Sequence, residues 1–265
     1  MVTVALDEAG PERAWAALPR RVVLSHLALE TLAVAGGVRV PWRIEAKEMY
    51  DGARIPGDVA AALARLTRAE VAVDLTLALR CPSGAATQLS SWHRVVGSDV
   101  TAVTSTPSGA ELSWFGLDWW PTVLTALAAG SLPARAEATG PAARLCLPLE
   151  LLLAACTAGR GHHDELVAAL AGRFPGAVTV EGAVLDQDGA REQLEVLAHE
   201  PLGRLQVVVA GVTRRLGILS WLRFPDGWRA LQPVRGGPSP LVRLDPVDTA
   251  ALAARVAWLT MEVRR

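Results

Sequence analysis

Val71-Ala72-Val73-Asp74-Leu75-Thr76-Leu77-Ala78-Leu79 alternates without a break. Val71, Val73, Leu75, Leu77 and Leu79 fall on one side and Asp74, Thr76 and Arg80 on the other, the period of two of a half-buried strand. Much later in the chain, Leu205-Gln206-Val207-Val208-Val209-Ala210-Gly211-Val212 opens a second β-rich run. Each run leads a series of short strands, near 86–96, 99–106 and 110–116 in the first case and near 215–223, 228–233 and 240–244 in the second. Cys81-Pro82-Ser83-Gly84, Pro107-Ser108-Gly109, Arg214-Arg215 and Pro225-Asp226-Gly227 mark turns between them. Each series closes in a helix, the first opened by Asp118 and Pro121, the second expected to start at Asp245-Pro246 as N-cap and first-turn proline. Leu252, Val256, Leu259 and Val263 give that last helix an apolar stripe. The pattern predicts an α+β fold of two pseudo-symmetric halves, each an antiparallel β-meander with flanking helices, combined in a single domain. The halves are expected at 1–130 and 148–265, joined by an Ala/Gly/Pro-rich connector over 131–147.

Outward from these runs, residues 22–35 read as a helix ended by Gly36-Gly37, followed by an extended Val38-Arg39-Val40-Pro41-Trp42-Arg43-Ile44. Asp58 is placed to cap a helix running to about Leu66. In the second half, helices are expected at 148–157, 163–172 and 189–198. At 265 residues and 51% hydrophobic content the chain can bury a full core. A net charge of −1 gives no bulk electrostatic argument for a nucleic-acid or anionic-membrane partner. Lys47 is the only lysine and asparagine is absent, so the abundance of Arg reflects a compositional bias as much as recognition. Cys81, Cys146 and Cys156 form no CxxC pair and read as buried free thiols of a reducing cytosol. Arg20-Arg21 before an apolar stretch imitates a twin-arginine signal, but His26 and Glu30 interrupt that stretch. The expected location is cytoplasmic.

Candidate chemistry is sparse. Gly161-His162-His163-Asp164-Glu165 is the densest group of metal-type ligands, yet adjacent helical histidines point about 100° apart and cannot share one ion as an i, i+4 pair can. Asp164 and Glu165 read instead as first-turn acids. Asp186-Gln187-Asp188-Gly189 starts like a calcium loop but lacks its later ligands, which leaves a helix cap. No metal and no cofactor is expected. His93, beside Trp92 and with Asp74 and Asp99 near in sequence, is the one acid/base set an enzyme or small-ligand pocket against the sheet could use; a polar sheet face explains the same residues.

Nine tryptophans stand against one tyrosine and three phenylalanines. On the strand Arg215–Arg223, alternation puts Leu216, Ile218 and Leu222 on one face and Leu219 and Trp221 on the other. A strand apolar on both sides is covered twice or offers one face to a partner. Trp and Arg are the types most enriched at interface hot spots. Arg215, Leu219, Trp221, Arg223 and the nearby Trp228 are the candidate partner-binding residues, with double coverage as the alternative.

Gly203-Arg204-Leu205-Gln206-Val207-Val208-Val209, then Leu216-Gly217-Ile218-Leu219-Ser220-Trp221, then Asp226-Gly227-Trp228-Arg229-Ala230-Leu231-Gln232-Pro233 before a terminal helix resembles the EspG family, secretion-associated proteins of actinobacterial ESX (type VII) systems. Pro41-Trp42-Arg43-Ile44 and the strand through Val73-Asp74-Leu75 are consistent with it. The resemblance implies an EspG-like domain and a cytosolic chaperone rather than an enzyme. Its implied partner is a PE/PPE-like or related helical secretion substrate whose apolar tip it shields until export. It further implies a partner surface on the central sheet and the C-terminal helical region.

Overall fold

The computed structural model describes residues 20–25, 57–80, 86–106, 109–129, 140–160, 164–212, 216–235 and 240–264. The strands expected in the first half are present, β2 (Val71–Arg80), β3 (Ala86–Val96), β4 (Asp99–Thr106) and β5 (Gly109–Gly116), preceded by an unexpected strand, β1 (Arg20–Leu24). The second half holds β6 (Leu145–Pro148), the short β7 (Thr179–Val180) and β8 (Ala183–Val184), then β9 (Gly203–Gly211), β10 (Leu216–Phe224), β11 (Gly227–Val234) and β12 (Leu241–Val247). Helices are α1 (Gly57–Thr67), α2 (Trp120–Ala129), α3 (Leu149–Arg160), α4 (Asp164–Arg173), α5 (Gln187–His199) and α6 (Thr249–Arg264).

All twelve described strands form one sheet in the order β1-β5-β4-β3-β2-β9-β10-β11-β12-β6-β7-β8. The two halves meet where β2 runs antiparallel to β9, with Leu75 opposite Val207 at the middle of the ladder. From that seam the order repeats outward: β2-β3-β4-β5-β1 on one side, β9-β10-β11-β12-β6 on the other. The fold is α+β and pseudo-symmetric, as the paired runs indicate, and the meanders share one continuous sheet.

Three apolar clusters cover this sheet. On one face, which we call the inner face, Val71, Val73, Leu75 and Leu77 of β2 and Leu205, Val207 and Val209 of β9 pack under α2 and α6. On the opposite face, α1 covers the first-half end through Val59 and Leu63 against Leu24, Val103 and Leu112. On that same face α3, α4 and α5 cover the second-half end, where Leu151, Val167 and Leu194 meet Leu145, Leu222, Phe224 and Leu244. Burying a Leu- or Val-sized side chain stabilises by about 1.5–3 kcal/mol, so these clusters fix which stretches of sheet are sealed. Between the two helix groups the opposite face has no helix over it among the described residues.

Several local expectations are corrected. Residues 20–24 are a strand paired with β5, where a helix was expected to begin at 22; the β-branched Val22-Val23 fits a pleated surface, and Val22 and Leu24 point into the core. The remainder of that helix, the extended stretch 38–44, Cys81 and the His162-His163 pair lie outside the described residues. Residues 145–147, read as connector, belong to β6. Asp245 and Pro246 lie within β12, and α6 starts later, with the Asp248 carboxylate accepting the Ala251 N–H at 2.8 Å. Pairing with β6 stops at Leu244, so Pro246 sits where β12 has become an edge and a missing N–H is tolerated. Asp186 caps α5, accepting the Gly189 N–H at 2.8 Å, as the helix-cap reading requires.

Candidate functional site

β10 decides the site. Its register places Leu219 opposite Val207 and Trp221 opposite Leu205, on the inner face, and Ile218 opposite Val208 and Leu222 opposite Arg204, on the other. The two-sided apolar pattern is therefore real, and its sides differ in cover. Trp221 and Trp228 are 3% and 4% exposed and belong to the inner cluster, their ring centroids 6.2 Å apart, with Leu219 packed partly buried beside them. The Arg223 guanidinium lies over Trp228, 5.8 Å from its ring centroid. Arg215 lies outside the described residues. Trp221 and Trp228 are thus core residues, with Leu219 packed against them, and this face of β10 is covered.

The reason is visible at two glycines. A Cβ on Gly217 would come within 2.7 Å of Leu259 Cδ2, and one on Gly211 within 2.3 Å of the Val263 carbonyl oxygen. At Gly211 a side chain would meet the α6 backbone and at Gly217 it would press on the tip of Leu259, so α6 sits close over β9 and β10 and covers Leu219 and Trp221.

Among the described residues, the side with no helix over it is the opposite one. Leu216 and Ile218 are 68% and 62% exposed, and Val212 at the β9–β10 hairpin is more exposed still. Beside them Val208 and Ala210 of β9 and Ala72 of β2 are half-buried. These side chains line the middle of the sheet between α1 on one flank and α3–α5 on the other, an apolar strip along the seam of the halves. Further along the same face the lining turns polar, with Gln206, Thr76 and Ser220, and then cationic, with Arg204 and Arg80.

The acid/base set does not assemble. His93 lies on the inner face, opposite Val73 and wholly buried, whereas Asp74 lies on the other face in an ion pair with Arg94 at 2.6 Å. Asp99 pairs with Arg65 of α1 at 3.3 Å. The indole N–H of Trp120 donates to His93 Nδ1 at 3.1 Å, which leaves the imidazole proton on Nε2, 2.9 Å from Ser91 Oγ. His93 therefore donates to Ser91, whose hydroxyl lies 2.7 Å from Thr104 Oγ1. A histidine that donates to its serine cannot act as that serine's base. Burial, and secondarily the neighbouring Arg94 charge, push the His93 pKa down to about 3, so the ring is neutral at ordinary pH. The arrangement is a polar staple holding α2 to the sheet.

Cys146 and Cys156 are half-buried thiols outside any disulfide, and the Cys156 S–H donates to the Leu197 carbonyl oxygen at 3.6 Å. Among the described residues no group of three or more His, Cys, Asp or Glu side chains is placed to hold a metal ion, and no helix is long and apolar enough to cross a membrane.

No protein-family model matches the sequence, and neither does any curated protein. Among solved structures, the chain is similar to the Mycobacterium tuberculosis type VII secretion system chaperone EspG5 in complex with the PE25–PPE41 dimer, at 14% identity, 77% coverage of each chain and a TM-score of 0.49.

Proposed function

We propose that this chain is a cytosolic, non-enzymatic chaperone of the EspG kind that holds PE/PPE-like secretion substrates, covering an apolar helical tip so that the client stays soluble until export. The observation that carries this reading is the uncovered strip in the middle of the sheet, where Leu216 and Ile218 stand more than half exposed between two helical flanks. Exposed aliphatics in a shared apolar surface favour a partner over water by about 25 cal/mol per Å² buried. The strip also coincides with Gly203–Val209 and Leu216–Trp221, the segments through which the sequence resembles the EspG family. The partner surface moves from Trp221 and Trp228 to the other side of the same strand.

The test is co-expression with PE–PPE pairs, followed by size-exclusion of the soluble fraction. The wild type should carry one pair into a stable complex. Leu216→Asp and Ile218→Asp, at positions more than half exposed, should leave the chain folded and remove the complex. Complex formation undiminished in both variants would refute the strip as the client site.

A further inference from the structure

The strip has a polarity that says more about its occupant. This inference rests on the docking reading above. At the β9–β10 hairpin end the lining is mainly aliphatic, with Leu216, Ile218, Val208, Ala210 and Val212, and the one carboxylate there, Asp74 opposite Val208, is neutralised by Arg94. Level with Ser220 and Gln206, which face each other across the β9–β10 ladder, it becomes neutral and polar. The Ser220 hydroxyl oxygen is buried and has no hydrogen-bond partner among the described residues. At the far end Arg204 stands opposite Ala78, and Arg80 lies two residues beyond Ala78 on the same face; both arginines are exposed.

Neither of these guanidinium groups has a carboxylate partner among the described residues, whereas several other arginines do. Arg94 meets Asp74, Arg65 meets Asp99, Arg264 meets Glu70 and Arg243 meets Asp245. Two like charges in diagonal positions on adjacent strands repel, and no carboxylate among the described residues pairs with either. An incoming carboxylate would relieve that repulsion and gain charge-assisted hydrogen bonds.

We infer that the occupant is a helical segment of a partner protein whose apolar side chains are followed by carboxylates at a set distance. Four residues of strand separate Ile218 and Val208 from the level of Arg204, roughly 13 Å. On a helix laid along the strip this is about nine residues. Apolar contacts at the hairpin end supply the attraction, and the Arg80–Arg204 pair fixes the direction in which the segment lies.

Two fluorescein-labelled amphipathic peptides test this against the full-length chain by fluorescence anisotropy. They share an apolar end and differ only in carrying Glu or Lys at the positions about nine residues on. The Glu peptide should bind about tenfold more tightly, the effect of one productive charge contact, and added salt should shrink the difference. The Arg80→Glu/Arg204→Glu variant should reverse the preference, and Ile218→Asp should weaken both peptides alike. Equal affinity of the two peptides, or a preference untouched by the double variant, would overturn the charge readout and leave the apolar docking reading standing, provided that Ile218→Asp still weakens both. Failure of both peptides to bind the wild type would overturn the inference together with the docking reading. Capture of phosphatidylglycerol vesicles through the same arginines, without peptide preference, would assign them to a membrane and overturn the inference.

Discussion

A single imidazole shows how local chemistry becomes stability here. His93 sits neutral in the core with its pKa lowered to about 3, while in the unfolded chain it titrates near its ordinary value of 6.5. Below pH 6.5 the unfolded state takes up a proton that the folded state refuses, so folding stability from this site falls as pH drops towards 3. The slope is about 1.4 kcal/mol per pH unit. His93→Gln keeps an acceptor for the Trp120 indole and removes the titration. Its melting temperature should therefore depend less on pH between 6.5 and 4 than that of the wild type; parallel pH profiles for the two proteins would contradict the assignment. Trp221→Ala, which opens a void between Trp228 and α6, should cost about 3–5 kcal/mol in urea unfolding. A loss under 1 kcal/mol would mean that the indole is not the core residue its burial indicates. The sequence left two settings open for each side chain, pocket or polar sheet for His93 and partner face or double coverage for Trp221. A histidine beside a tryptophan and near two aspartates is equally compatible with a pocket and with a staple until the register puts Asp74 on the opposite face.

Alternation along β2 and β9 was enough to place the central strands, because a period of two over many residues has few other readings. It also separated the two faces of β10 correctly. Which face stays open was not legible, since both are aliphatic and the answer depends on where α6 docks. Gly211 and Gly217 hold that answer, and a glycine in a strand signals close approach without naming what approaches. Gly217→Val should lift the last turns of α6, lower stability and expose Trp221, seen as a red-shifted emission and faster quenching by acrylamide. An unshifted spectrum in a folded variant would show that the glycine is not what lets the helix sit low. The true start of α6 was hidden by Pro246, which looks like a first-turn residue until β12 is seen to outrun β6. Asp248→Ala should therefore destabilise by about 1 kcal/mol, whereas Asp245→Ala removes only a surface pair with Arg243 and should change stability by less than half that.

For the whole molecule, the sheet is a single object made from two similar pieces of chain, and its seam is the β2–β9 ladder. Every hydrogen bond in that ladder joins residues from opposite halves of the sequence. Neither meander can satisfy its innermost strand alone. A chain cut in the connector should thus behave as two adhesive fragments: each by itself presents a long aliphatic edge, β2 or β9, of the kind that drives aggregation. Mixed, the fragments have one specific mate for that edge. Split-gene expression should give insoluble halves separately and a soluble, co-purifying pair together, so the same seam that makes the protein whole makes it reconstitutable, and usable as a two-part reporter of whatever brings the halves into proximity.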